Sequence, residues 1–236
     1  VTPGTKPGNI GGMARRFQGL EVIAIILLTI AVFVHEASLG PIQRILFDER
    51  YGAVPSTMWE AWRNFQEVGL RHDVWVAALP LITANYLHAS VEHIGGNMLF
   101  FWVFANVLSQ AVGRVLLLVI YVLAGMVAVL VYVHASPTSD APMIGASGAI
   151  AGLEGAYFTL VFRWDLPEVR VWPLSGAVAP ARLAFLAVLN FILDTGSFLG
   201  HSQERIAFGA HVGGFLGGAL LAMIIATVWT PTWRDA

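Results

Sequence analysis

Ser147 stands in the run Met143-Ile144-Gly145-Ala146-Ser147-Gly148-Ala149-Ile150-Ala151-Gly152, a hydroxyl among glycines at the start of an apolar stretch. Far along the chain, a second apolar stretch carries Ala210-His211-Val212-Gly213-Gly214. A serine is a weak nucleophile until a base takes its proton, and imidazole is the side chain best suited to that near neutral pH. The pair reads as nucleophile and general base for acyl transfer. Ser147 alone also fits helix packing. Gly148 and Gly152 form a GxxxG, and Ser147, Ala151 and Gly155 form a row of small residues, patterns that let helix backbones approach closely. His211 tips the balance, because an ionisable residue inside an apolar span is costly and marks function. On a helix, Gly214 and Gly218 share its face, so a partner helix can come close enough to touch it.

A third constellation precedes another apolar run: His88-Ala89-Ser90-Val91-Glu92-His93-Ile94-Gly95-Gly96-Asn97. His93 and Asn97 are four apart and share a helix face. Acyl transfer needs donors aimed at the developing oxyanion, and an imidazole N–H and a carboxamide can both donate. A zinc helix would place two histidines four apart in HExxH. Here His88 and His93 are five apart and the chain has no cysteine, which speaks against a zinc helix and leaves only a His/Glu92 cluster as a metal alternative.

These residues sit on elements that a membrane selects. The 236 residues are 57% hydrophobic and 12% charged, with mean hydropathy +0.70. A soluble domain carries about 25% charged residues, so this chain has too little polar surface to cover a globule in water. No basic block points to nucleic acid. Six apolar runs approach the roughly 20 residues a spanning helix needs: about Leu20–Val34, Ile94–Val112, Val115–Val133, Ser147–Phe162, Ala181–Leu193 (reaching back toward Val178) and Ile206–Trp229. The first, fourth and fifth are short. No small-residue cleavage site follows the first run, where His35 and Glu36 stand, so it reads as a retained helix.

The chain thus divides into an N-terminal tail, residues 1–18, a six-helix all-α membrane domain, residues 19–230, and a short tail, residues 231–236. The long connection Ala37–Glu92 mixes charge with Trp59, Trp62 and Trp75, a composition suited to the headgroup region. Lys6, Arg15, Arg16, Arg114, Arg163, Arg170, Arg182 and Arg234 fall on one side of a six-span arrangement. The positive-inside rule then puts both termini in the cytoplasm, with Ser147 and His211 near the opposite face. Their depths agree, although the count did not use them.

Order, spacing and depth together resemble the rhomboid family of intramembrane serine proteases. The resemblance runs over about Leu70 to Thr227. It rests on His93-x-x-x-Asn97, Gly145-x-Ser147-Gly148 and Ala210-His211-x-x-Gly214, with the long first connection and six spans beside them. It looks bacterial, which implies a multi-pass protein of the inner membrane. The resemblance implies Ser147 as nucleophile and His211 as its base, a dyad without a carboxylate, with no metal or cofactor expected. It further implies an oxyanion hole from the Ser147 backbone N–H, His93 and Asn97. His88, Gly145, Gly148 and Gly214 would support the site, His88 by holding water or loop structure. Substrates would be single-span membrane proteins cut near the outer membrane face, with lipid as the other partner. The contrasting reading is an inactive rhomboid-like scaffold that binds transmembrane helices.

Three features depart from the family pattern. Ala151 replaces an aromatic residue that many members stack on the base histidine. Phe104–Gln110 lacks the usual glycine and acid, with Ser109 where a glutamate is usual, which predicts a weakened cap. Glu154 falls seven residues after Ser147, ~10 Å deeper on the same helix face. A charge at mid-depth costs about 2.5–3.5 kcal/mol on insertion scales, so Glu154 is expected to be protonated or hydrogen-bonded to a neighbouring helix. The fifth helix and a polar loop at Asp194–Arg205 are predicted to be the mobile parts.

Overall fold

The computed structural model describes residues 19–69, 71–166, 168–170, 177–199 and 205–229. The tails read at residues 1–18 and 231–236 lie outside them. The first described helix is α1 (Leu20–Ser38), preceded by Gly19 in a left-handed turn (φ 91°). The long connection is a set of short helices: α2 (Pro41–Tyr51), α3 (Pro55–Val68), α4 (Arg71–Ala78), α5 (Pro80–Thr83) and a 3-10 turn, Ala84–Tyr86. Proline opens α2 and α3 from an extended preceding residue, where its missing N–H costs nothing. Gly69 closes α3 with φ 75°, a left-handed cap that favours glycine.

The long helices follow. α6 (Val91–Val112) starts at Ser90, whose hydroxyl accepts the His93 backbone N–H at 3.2 Å. Gly113 (φ 81°) turns the chain sharply into α7 (Arg114–Ala135). α8 (Ser147–Arg163) is joined by a two-residue antiparallel ladder, Val169–Arg170 with Ala177–Val178, to α9 (Pro180–Leu199); α10 (Arg205–Val228) completes the bundle. The architecture is an all-α membrane bundle with, among the described residues, one minimal β-ladder.

α8 is the axle. Every residue from Gly148 to Tyr157 is buried, and α10, α7, α9 and α6 all pack against it. Phe101 and Phe104 of α6, Tyr121 of α7, Leu153 and Tyr157 of α8 and Phe215 of α10 belong to one core. Their rings meet edge-on, Phe101 to Tyr121 at 5.1 Å and Phe104 to Tyr157 at 5.9 Å, the geometry aromatic quadrupoles favour. In lipid, helices associate through packing and not through hydrophobic expulsion, so the closest contact dominates. That contact is α8 on α10. A Cβ on Gly214 would overlap the Gly148 carbonyl oxygen, one on Gly218 that of Gly152, and one on Gly155 that of Phe215.

Among the described residues, three helical stretches are individually long and apolar enough to cross a membrane: α1, α7 and Phe208–Val228 within α10. The stretch Arg71–Tyr86 and α6 pass together as a pair bent by 84°. α8 has 17 residues, and the apolar part of α9, Pro180–Leu193, is also short. The short fourth run is thus a helix enclosed by its neighbours, as a sub-length span requires.

Two sequence boundaries are corrected. α1 runs on past Val34 because Glu36 is fully buried with a bonding partner, so its charge does not end the helix. α9 continues through Leu199, so half of the predicted 194–205 loop is helical. Polarity alone does not stop a helix, and a single interior glycine such as Gly196 costs only about 1 kcal/mol. Residues 200–204 lie outside the described residues. The predicted weak cap at Ser109 is also revised, because the Ser109 hydroxyl bonds to the Glu21 carboxylate. α1 supplies the acid that α6 lacks.

Candidate active site

The first connection pins the segment that presents Ser147. Ala53 and Met143 exchange backbone bonds at 3.0 and 2.9 Å, the Gly145 N–H donates to the Ala84 carbonyl at 2.9 Å, and Trp59 Nε1 donates to the Val133 carbonyl at 3.2 Å. Gly145 then takes φ 126°, which a side chain would resist. A Cβ there would lie 2.7 Å from His93 Nε2 and 3.6 Å from Asn97 Nδ2. Gly145 is therefore the point where α6's two polar residues reach the backbone ahead of the serine.

Ser147 is the first residue of α8, preceded by Ala146, whose side chain makes no capping bond. The first N–H groups of a helix have no intrahelical acceptor and carry the positive end of its dipole. Across the α8–α10 contact, His211 Nε2 lies 2.7 Å from Ser147 Oγ. At that distance the hydroxyl donates to an imidazole whose proton is on Nδ1. Phe208, one turn earlier, meets the His211 ring edge-on at 6.0 Å.

His93, Asn97, Ser147 and His211 line one cavity of ≈ 600 Å³, whose wall also includes Gly145, Gly148, Ala151 and Glu154. Gly148 and Gly214 sit where a side chain would separate α8 from its neighbours. His88 is outside the cavity and fully buried. Its Nε2 lies 2.9 Å from Asn97 Nδ2, its Nδ1 lies 3.3 Å from the Tyr86 carbonyl, and its ring packs on His93 at 4.9 Å. With Nδ1–H donating to Tyr86, Nε2 accepts from the Asn97 amide. Burial, and next the neighbouring His93, holds the His88 pKa down at about 4, so the ring is neutral at physiological pH.

Two residues the sequence reading missed hold this segment. Glu36 Oε2 accepts the His88 backbone N–H at 3.1 Å, and Arg44 Nη2 donates to the carbonyls of His88 and Ala89 at 3.1 and 2.8 Å. Together they grip the chain just before α6. In the sequence, an acid at the end of an apolar run reads as the start of a loop, and nothing local reveals a partner 52 residues away. Glu154 is buried, and Asn190 Nδ2 of α9 donates to its Oε1 at 3.0 Å, the neighbouring-helix bond expected of it. Among the described residues, no three His, Asp or Glu side chains group as a metal site.

The bundle thus holds a half-buried Ser–His contact between two closely packed, glycine-bearing helices. The Rhomboid domain matches residues 71–228. The chain belongs to the rhomboid family and is an integral membrane protein. It is 26% identical over 164 residues to Rhomboid-like protein 11, chloroplastic, of Arabidopsis thaliana, covering 70% of this chain and 58% of that one. It is 27% identical over 202 residues to Rhomboid protease GlpG of Klebsiella pneumoniae, covering 85% of this chain and 61% of that one. RHOMBOID-like protein 1 of Arabidopsis thaliana is 30% identical over 188 residues, or 79% of this chain and 40% of the relative. The chain thus spans less than two thirds of the length of each.

Proposed function

We propose that this chain is an intramembrane serine endopeptidase that cleaves single-span membrane proteins near the outer membrane face. The observation that carries the reading is the 2.7 Å contact between Ser147 Oγ and His211 Nε2 inside a cavity shared with His93 and Asn97. Ser147 Oγ attacks the scissile carbonyl while His211 Nε2 takes its proton. The oxyanion accepts from the Ser147 backbone N–H, the Asn97 amide and the His93 ring, donors fixed before the charge develops. His211 passes the proton to the leaving amine, and water then hydrolyses the acyl-enzyme with His211 again as base. The Klebsiella relative is named a rhomboid protease, which supports the same chemistry. The one-sided distribution of Lys and Arg over the predicted spans supports cytoplasmic termini, and the likeness to a Klebsiella pneumoniae protease supports a bacterial inner membrane.

Labelling with a fluorophosphonate probe tests the dyad. Wild type is expected to label, and Ser147→Ala and His211→Ala to lose the signal. Labelling that persists in Ser147→Ala, or is undiminished in His211→Ala, overturns it. Folded wild type that neither labels nor cleaves a single-span reporter supports the inactive scaffold instead.

The grip on His88 and Ala89 gives a second expectation. Glu36→Ala or Arg44→Ala should lower kcat about tenfold with little change in KM, by letting His88 and hence Asn97 shift. In an Asn97→Ala background the same substitutions should cost nothing further, and Glu36→Gln, which keeps an acceptor, should restore most of the rate. Additive losses in that double-mutant cycle would show that the residues act elsewhere. His88 also sets a pH dependence of stability. Its folded pKa lies below the unfolded value of 6.5, so the unfolded chain binds more protons between about pH 4 and 6.5. Its contribution is fully present above pH 6.5 and lost as pH falls toward 4. The thermal midpoint of wild type should drop more over that window than that of His88→Gln.

A further inference from the structure

Away from the reactive cavity, two carboxyls meet where α2 packs on the end of α1. Glu36, in the last turn of α1, is fully buried, and Asp48 of α2 is half-buried. The two carboxyls lie within hydrogen-bonding reach of each other. Glu36 Oε2 accepts the His88 backbone N–H. Glu36 Oε1 and Asp48 Oδ1 are also buried, and neither has a donor. Arg44 of α2 faces Glu36 too, but its Nη2 is committed to the His88 and Ala89 carbonyls. On α1 itself, His35 stacks edge-on against Phe47 of α2 at 5.3 Å. The turn Ala84–Tyr86, also packed on α1, brings Tyr86 and then the neutral His88. α6 carries Glu92 and His93 in its first turn and bonds the opposite end of α1, through Ser109 and Glu21.

Two carboxylates in contact and out of water do not both stay ionised, and a buried acceptor without a donor is costly. We propose that Glu36 and Asp48 form a proton-binding site, in which Glu36 Oε1 carries the proton and donates it to Asp48 Oδ1. One hydrogen then serves both orphan oxygens. Glu36 keeps its bond to the His88 N–H, because a protonated carboxyl still accepts at its other oxygen. The shared proton fastens α2 to α1, and α2 in turn holds, through Arg44, the segment that leads to His93 and Asn97. Loss of the proton sets two like charges against each other and draws the Arg44 guanidinium toward them, off the His88 and Ala89 carbonyls. Asp48 is thereby a positioning residue for the site, acting through Glu36 and Arg44; this last link alone rests on the peptidase reading above. Unfolded, both carboxyls are ionised above about pH 5, whereas the folded pair keeps one proton. Stability therefore falls as pH rises through its release.

The test uses purified protein in lipid nanodiscs. Infrared difference spectra at neutral pH, wild type against Glu36→Gln, should show one protonated-carboxyl band that belongs to wild type and shifts in heavy water. The thermal midpoint of wild type should fall between about pH 7 and 9. Glu36→Gln, whose amide replaces the O–H donor, should stay level over that range. Asp48→Asn, whose amide donates to an ionised Glu36, should also lose the band and the slope, and it carries both comparisons if Glu36→Gln does not fold. Over the same range, fluorophosphonate labelling should slow about threefold more in wild type than in Glu36→Gln, as the site shifts out of register. Absence of the band, or midpoints that fall equally in wild type and both variants, overturns the inference. So does a wild-type midpoint that a chelator lowers and calcium restores, with no such response in Glu36→Gln, since the pair would then hold a metal ion. Failure of wild type to label overturns the peptidase reading alone, because the band and the midpoints do not depend on it.

Discussion

Ser147→Ala should abolish cleavage of a single-span reporter, with a fall in kcat of at least ~10³-fold and no large loss of stability. The covalent route needs an oxygen nucleophile at the head of α8, and alanine has none. In a serine protease whose groups act as a unit, removing nucleophile or base alone costs about as much as removing both, up to ~10⁶ in kcat. His211→Ala should therefore fall to a similar floor, and Ser147→Ala/His211→Ala should be no worse than either single variant. Stability is a separate matter. The hydroxyl makes one bond across the α8–α10 contact, to His211 at 2.7 Å, worth about 0.5–1.5 kcal/mol net. Since Ala146, Ala149 and Ala151 beside it are already buried alanines, a methyl fits there. Thermal melting in detergent and turnover on the reporter measure the two effects independently. Substantial turnover by folded Ser147→Ala would end the serine-peptidase reading.

The second large effect is structural in origin and catalytic in outcome. Gly218→Val should unfold the bundle or force α10 away from α8, because a Cβ at 218 would overlap the Gly152 carbonyl oxygen. That oxygen belongs to a helix backbone and cannot rotate aside like a side chain. Overpacking a tight core typically costs 1–3 kcal/mol and sometimes more, and backbone against backbone falls at the upper end. His211 rides on the same helix two turns earlier. Any splay lengthens the Ser147–His211 contact, and even a 1 Å misplacement can cost about 10²-fold. Gly218→Val is thus expected to lower the thermal midpoint and to lose probe labelling although it touches neither residue. Gly95→Ala is the control. Nothing lies within 4 Å of a Cβ at that position, and alanine is the better helix former by about 1 kcal/mol, so its midpoint should hold or rise. Equal midpoints for Gly218→Val and Gly95→Ala would refute this account of the contact.

The sequence by itself determined the membrane as solvent, the helices and the candidate Ser–His pair. Halved charge content excludes a globule in water, because polar groups must cover a surface that water wets. Apolar runs bounded by glycine and proline mark the long helices, because those residues set local backbone conformation. Ser147, His211, His93 and Asn97 are legible because each is a costly residue type in an apolar setting, flanked by small residues that serve packing only if another backbone comes close. Local signals of this kind do not need the partner to be known.

Only the tertiary structure decided which side chains complete one another. Glu36 looked like the end of a helix and is a buried acceptor for the His88 N–H. Ser109 looked like a missing acid and takes its acid from Glu21. Asp194 looked like a loop and lies inside α9. In each case the free energy of a polar group is set by a partner distant in sequence, so no window of residues contains it. The same holds for the face Ser147–Ala151–Glu154. Its spacing is visible in the sequence. That it lines a ≈ 600 Å³ cavity with Asn190 at the floor follows only from how α6, α8, α9 and α10 enclose it.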